Sequence, residues 1–344
     1  MTPKKATIHD IAEQLNITAS TVSRALNNHP RISEATKKAV LDVAKSLNYQ
    51  PNRIAAALRS GRSQLIGIVV PTINRAFFSS VIRGVEEVAN QVGYQVVVSQ
   101  SYEEVVNESA TVDALLNARV DGIIASLGKN TENYDHYKKI IKRGIPLVLF
   151  DRTTNELGTS QVVIDDFLGA YMATEHLIKQ GCQQIAHFTN INRVNIYKER
   201  YRGYMEALKD HNIPFDEALV CESNMQLEDG RVCTQQLLTL GKPFDAIFSA
   251  SDYAAMGAMQ VLKEHKIAIP EKVALSGFSN EPFTSFSDPP LTSIEQFPVE
   301  MGHAAAELFF DILNAGTKKT IPQKTVLQPK LIVRASSLKT TVNI

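Results

Sequence analysis

The sequence predicts a small all-α head joined to a two-lobed α/β core of doubly wound parallel sheets. Three observations carry this reading. Short apolar stripes with helical spacing, each introduced by a Thr or Ser, fill the first 50 residues. From Leu65 onward, β-branched runs alternate with helical stretches. Finally, 344 residues exceed what one core usually holds, since single cores stop growing near roughly 250 to 300 residues.

In the head, Thr7 and Asp10 form a cap with an acid in the first turn, and Ile8, Ile11, Ala12 and Leu15 then fall on one helical face. After Asn16, Thr18 caps a second helix, with Ile17 and Val22 spaced as a hydrophobic staple. A third helix starts at the cap Ser33 and runs to Leu47, burying Val40, Val43, Ala44 and Leu47. The short turn between the first two helices fits a helix-turn-helix, in which the second helix enters the major groove by its N-terminal end. Ala19, Ser20, Thr21, Ser23 and Arg24 are then the side chains that face DNA, while Val22, Ala25 and Leu26 turn inward. Asn52 is placed to cap a short helix, Arg53 to Arg59, too short to be stable in isolation.

Beyond the head, strands are expected at Leu65–Val70, Gln95–Val98, Gly122–Ala125, Leu147–Phe150, Ile185–Phe188, Ala246–Ser249 and Val273–Ser276. Alternation with helices implies parallel sheets covered on both faces, and the length implies two of them. Ligands in such folds sit beyond the carboxyl ends of strands, which makes Phe77, Phe78, Asp165, Ser251 and Asp252 candidates.

Charge separates the same two regions. The formal net charge is zero, yet residues 1–63 carry ten Lys or Arg against four Asp or Glu, a surplus of six that the remainder offsets. A basic head on a mildly acidic body suits a polyanion partner, because phosphate neutralisation supplies most non-specific DNA affinity. No apolar stretch approaches the roughly 18 residues of a membrane span, and the N-terminus lacks the apolar segment of a signal peptide, so a cytoplasmic, nucleoid-associated protein is expected. Cys182, Cys221 and Cys233 are widely spaced and lack histidine partners at ligand spacing, and all three are expected to be reduced packing residues, with no metal site and no cofactor. P-loop, nucleophile-elbow and GxGxxG signatures are missing, which argues against an enzyme.

The runs TIHDIAEQLNITASTVSRALN, RISEATKKAV and LNYQPNRIAAALRSGRSQLIGIVVP together resemble the lactose-repressor (LacI/GalR) family of bacterial transcriptional regulators. One departure is Asn16, where that family commonly has glycine; Asn also tolerates left-handed backbone. The resemblance implies that Ala19, Ser20 and Arg24 read bases, that Thr21 and Ser23 lie on the phosphate side, and that Thr7, Asn27, Asn52, Arg53 and Ala55 join the DNA-contacting set. Arg24 should carry much of the direct readout, because its fork fits guanine. By the same resemblance, residues 53–59 are a hinge helix with Leu58 as a minor-groove wedge.

For the body the resemblance implies a periplasmic-binding-protein-like fold that crosses between lobes three times and holds a small-molecule effector in its cleft. The expected organisation is a DNA-binding domain at 1–50, a hinge at 51–63 and an effector-binding and dimerisation core at 64–344. Its first lobe would comprise about 64–160 and 292–322, its second about 161–291 and 323–338. Arg200 in RVNIYKERYRGYMEAL matches the family's effector-binding arginine, and the Phe77–Phe78 pair matches aromatics that stack on effectors in some relatives. Ser279, in LSGFSNEPF, replaces the family's usual effector-binding aspartate. Loss of that carboxylate favours an anionic effector such as a sugar acid or sugar phosphate, with a neutral sugar or nucleobase left open. A near-palindromic operator bound by a homodimer is implied, since one small head reads too few base pairs. A pure solute-binding protein would lack the basic head, and no apolar heptads after Ile332 indicate a terminal coiled coil.

Overall fold

The computed structural model describes residues 6–49, 61–190, 194–316 and 321–339. Backbone contacts divide the chain into two units, Met1–Ser63 and Gln64–Ile344.

The head contains α1 (Ile8–Leu15), α2 (Ala19–Leu26) and α3 (Glu34–Ser46). A reciprocal capping box starts α1: the Asp10 amide donates to Thr7 Oγ1 at 3.4 Å and the Thr7 amide to Asp10 Oδ2 at 2.6 Å. Asn16 ends the helix in the left-handed region (φ 51°), the conformation for which Asn substitutes for Gly. The three-residue turn Asn16–Thr18 delivers Thr18 as the cap of α2, its Oγ1 accepting from the Thr21 amide at 3.2 Å. Ile11, Ala12, Val22, Ala25, Val40 and Ala44 form the buried centre, with Ile17, Leu26, Val43 and Leu47 packed around it.

In the body the chain first lays down β1 (Leu65–Val70), α4 (Ala76–Gln91), β2 (Gln95–Gln100), α5 (Val105–Asn117), β3 (Gly122–Ala125), α6 (Asp135–Lys142), β4 (Leu147–Phe150) and β5 (Ser160–Ile164). It continues as α7 (Asp166–Lys179), β6 (Ile185–Thr189), α8 (Asn195–Asp210), β7 (Val220–Glu222), α9 (Leu227–Leu240), β8 (Ala246–Ser249), α10 (Asp252–Glu264), β9 (Ala274–Ser279) and β10 (Thr292–Glu295). Last come α11 (Pro298–Ala315), β11 (Lys324–Leu327) and β12 (Lys330–Ile332). Two six-stranded sheets result, ordered β11-β5-β4-β3-β1-β2 and β12-β10-β9-β8-β6-β7. Among the described residues every strand pairing is parallel except that of β12 with β10.

This topology corrects the expected lobe boundaries. β5 lies in the first sheet, not the second, β10 lies in the second, and β11 lies in the first. Each crossing follows its strand, so the three passages fall between β5 and α7, between β10 and α11, and between β11 and β12. Alternate residues of β1 show how the sheet separates two cores: Ile66, Ile68 and Val70 face α4 and α11, while Val69 faces α5 and α6. Where α4 crosses α11, glycines face each other's backbone. A Cβ on Gly84 would lie 2.2 Å from Val299 O, and one on Gly302 would lie 2.2 Å from Val81 O.

A second correction concerns cysteine. Cys221 on the edge strand β7 and Cys233 on α9 are joined by a disulfide, their Cα atoms 5.8 Å apart. Both packing onto the same core brings them together, a proximity their spacing in sequence does not reveal. Cys182 is free and buried, and burial pushes its thiol up to about 11. Among the described residues no helix is long and apolar enough to cross a membrane.

Candidate functional site

In the head, Ser20 and Arg24 are exposed on α2, and Thr21 and Ser23 are partly exposed. Thr18 Oγ1 lies 2.8 Å from Ser20 Oγ and 2.9 Å from Thr21 Oγ1, so these hydroxyls form a linked cluster at the helix start. Ala19 instead packs against the head core, and the Asn27 side-chain amide donates to Ser23 O at 2.7 Å. Asn52, Arg53, Ala55 and Leu58, with the hinge helix they were expected to form, lie outside the described residues.

In the body a cavity of about 630 Å³ opens between the lobes. It lies beyond the carboxyl ends of both sheets, where the helix N-termini and connecting loops converge. Phe77, Phe78, Arg200, Ser251 and Ser279 line it, whereas Asp165 and Asp252 do not. Asp165 caps α7 by accepting from the Leu168 amide at 2.9 Å. Asp252 is fully buried beneath the cavity floor, where it accepts from Ser293 Oγ at 2.6 Å and the Glu281 amide at 2.8 Å. Burial pushes its carboxyl up to about 7 against these two bonds.

Arg200 is held on three sides. Its Nε and Nη2 each lie 2.8 Å from Asp166 Oδ1, its Nη1 donates to Ala250 O at 2.7 Å, and the guanidinium stacks 3.7 Å from the centroid of Phe278. Asp166 is buried, and desolvation pushes its carboxyl up to about 7 despite that guanidinium. Opposite stands a second charged group that the sequence reading missed. Arg152 donates Nη1 to both Glu103 oxygens at 3.0 and 2.9 Å, while its buried Nε has no hydrogen-bond partner among the described residues. Asp151 Oδ2 lies 3.9 Å from that Nε, and burial raises the Asp151 carboxyl although Arg152 and Arg200 pull it down. Gln296 Nε2, also in the lining, is a second buried donor without a partner among the described residues. Asp151 and Arg152 directly follow the expected strand Leu147–Phe150, so the strand-end rule could have found them.

Contacts also cross the cavity mouth. Arg75 reaches from the first lobe to Gln226 Oε1 and lies 3.3 Å over the centroid of Tyr253. Lys129 Nζ donates to Asn224 O at 2.6 Å. The Glu281 carboxyl faces the start of α4, a helix whose own N-cap residue makes no side-chain cap, and burial raises it although the nearby amides of Phe77 and Ala76 and the Arg75 cation draw it down. At the rim, Ser279 has φ 121° and Asn280 φ 48°, an unusual backbone for Ser. Asn280 anchors this turn, donating Nδ2 to Glu295 at 2.6 Å and accepting from Arg334 at 2.8 Å.

Comparison with known proteins places these parts together. Residues 7–52 match the model for bacterial regulatory proteins of the lacI family, and residues 174–337 match a periplasmic binding protein-like domain. The ribose operon repressor of Halalkalibacterium halodurans is 33% identical over 96% of this chain and 97% of its own length. The Lac repressor dimer, solved bound to operator and the anti-inducer ONPF, superposes with a TM-score of 0.86 at 25% identity, covering 97% of this chain and all of that one. A transcriptional regulator CelR–cellobiose complex gives a TM-score of 0.74 at 28% identity over 96% of this chain and all of that one. The chain belongs to the lacI family of bacterial regulatory proteins, which are DNA-binding regulators of transcription.

Proposed function

We propose that this protein is a homodimeric repressor that binds a near-palindromic operator and is controlled by a neutral, polyhydroxylated effector such as a sugar, and that it is not an enzyme. The observation that carries the effector reading is the pairing of Arg200 with the buried carboxyl of Asp166. Asp166 takes one hydrogen each from Nε and Nη2 and Ala250 O takes one from Nη1, so three of the five N–H donors are engaged, and the two that remain, beside a carboxyl that disfavours an added anion, suit a pair of ligand hydroxyls. The lining is also balanced, with Arg75, Lys129, Arg152 and Arg200 against Glu103, Asp151, Glu228 and Glu281. Buried donors on Arg152 and Gln296, the Asp151 carboxylate and the edge-to-face pair Phe77–Phe78 suit hydroxyls and a sugar ring better than an anion. This reading departs from the anionic effector that Ser279 alone suggests.

Operator recognition rests on the face of α2 that exposes Ser20 and Arg24, with Arg24 as the base reader and Leu58 as the wedge. Dimerisation has apolar surface to use: Phe286 is 84% exposed, and Val97 and Val98 are exposed on the edge strand β2. Because its partner is the operator, the protein works in the compartment that holds the chromosome. A thermal-shift screen of neutral sugars beside their acids and phosphates tests the effector class. A ligand at 100 times its dissociation constant adds about 2.7 kcal/mol. Stabilisation by the neutral sugars alone is expected, and stabilisation confined to the anionic compounds would refute the assignment.

A further inference from the structure

We propose that Cys221 and Cys233 are a peroxide-responsive thiol pair, and that bridging them stiffens the strip of chain on which the cross-cleft contacts land. The bridge closes residues 221–233 into a ring that runs from β7 to α9. Inside it lie Asn224, whose carbonyl accepts from Lys129 Nζ at 2.6 Å, and Gln226, whose side chain accepts from Arg75. Met225, Gln226, Leu227 and Glu228 line the cavity. Arg75 and Lys129 both belong to the first lobe, so each of these two cations crosses the mouth onto this ring. Met225, within the ring, has φ 63°, which leaves the strip in a conformation it would not hold by local preference.

The two sulfurs differ in access. Cys233 is 1% exposed, whereas Cys221 is half-buried on an edge strand and open to a small oxidant. The Cys221 thiolate attacks hydrogen peroxide, an S–O bond forms as the O–O bond breaks, and hydroxide leaves. Cys233 sulfur then displaces the sulfenic oxygen as water once a proton is delivered. In sum, thiolate, thiol and peroxide become disulfide, water and hydroxide, with two electrons passed from sulfur to oxygen. Thiol–disulfide exchange with a cellular dithiol reverses the step. Gln236 Oε1 lies 3.5 Å from Cys221 Sγ, within reach as an acceptor for the thiol that reduction would restore.

The oxidation and its mechanical consequence are read separately, and neither needs the effector or DNA, so their failure is distinct from failure of the effector reading. Full-length protein is reduced with a dithiol, freed of reductant and split, and one half is treated with hydrogen peroxide. Alkylation under denaturing conditions is expected to count all three cysteines in the reduced half and Cys182 alone in the oxidised half. Hydrogen exchange on the two halves is expected to be at least about tenfold slower after bridging in residues 222–232 and in the facing segments that carry Arg75 and Lys129. Three alkylated thiols after peroxide overturn the site, and a formed bridge with unchanged exchange overturns the coupling. Cys221→Ser, at the half-buried position, must abolish both responses; slowed exchange that persists in it, or in Cys233→Ala, also overturns the proposal.

Discussion

Replacing Asp166 by Asn isolates what its carboxylate does beneath Arg200. Asp166 is 5% exposed, and burial lifts its carboxyl from 3.8 to about 7. The folded state thus holds this proton more tightly than the unfolded chain. Its contribution to stability is complete below pH 3.8 and declines as pH rises toward about 7, where the folded group ionises. Each pH unit in that window removes about 1.4 kcal/mol, so between pH 5 and pH 8 the native protein loses about 2 to 3 kcal/mol through this group. Asn cannot ionise and resembles the protonated acid. Asp166→Asn should therefore match the native protein within about 1 kcal/mol at pH 5 and exceed it by about 2 kcal/mol at pH 8. Urea denaturation of both proteins at pH 5, 6, 7 and 8 measures the difference, in which other titrating groups largely cancel. Effector affinity should fall about tenfold, because Asn aligns the guanidinium with one weak acceptor instead of a carboxylate. Stability curves that run parallel from pH 5 to pH 8 would refute the reasoning and leave Asp166 ionised at all these values.

Arg24→Ala should lower operator affinity by about 1 to 3 kcal/mol, mostly at one base pair, whereas exposed Lys38→Ala should weaken all sequences alike; titrations against base-substituted operators separate the two. Lys37 is less suited to that comparison, since it is buried and paired with Glu34 at 2.7 Å. Leu58→Ala should straighten bound DNA and blunt discrimination, read as an increased end-to-end distance by energy transfer, and an unchanged bend removes the wedge role. Gly302→Ala, whose Cβ would press on Val81 O, should cost about 2 to 4 kcal/mol and lower the melting temperature of the body; native-like melting would show that α4 and α11 separate freely.

Legibility of the fold in the sequence followed local physics. β1, β3, β4 and β8 have the bounds that their apolar, β-branched runs predict, and the caps Thr7, Thr18 and Ser33 begin the helices they were expected to begin. β5 escaped notice because it follows β4 with no helix between them, which breaks the alternation that marks the other strands. β10, β11 and β12 are short and broken by polar residues (TSIE, KTVL, KLI), without the continuous apolar run that marks β3, β4 and β8, and all three decide where the chain changes lobe. In the cleft, Phe77, Phe78, Arg200, Ser251 and Ser279 were accessible through strand ends and family resemblance. Glu103 and Lys129 were not, because a charged residue in a loop reads as solvated until folding gives it a partner, whereas Arg152 sits at a strand end and was open to the same rule. The adjacent pair Asp165–Asp166 shows the limit most directly: one is a helix cap and the other holds Arg200, and nothing in the two letters distinguishes them.

The late return of the chain to its first lobe has a consequence for synthesis. β5 is complete at Ile164, but β11, its parallel neighbour, begins at Lys324, and α11, which covers one face of the same sheet, begins only at Pro298. At roughly 5 to 20 residues per second, the ribosome needs on the order of 10 to 30 s to deliver the missing strand. Until α11 arrives only α4 covers the face formed by Ile66, Ile68, Val70 and Phe150, leaving part of it bare, and throughout the interval the fully buried strand β5 presents an open edge. Nascent chains stalled before Pro298 should therefore be captured by chaperones that bind apolar segments, and stop codons even close to the 3′ end of the message should leave a product destined for proteolysis.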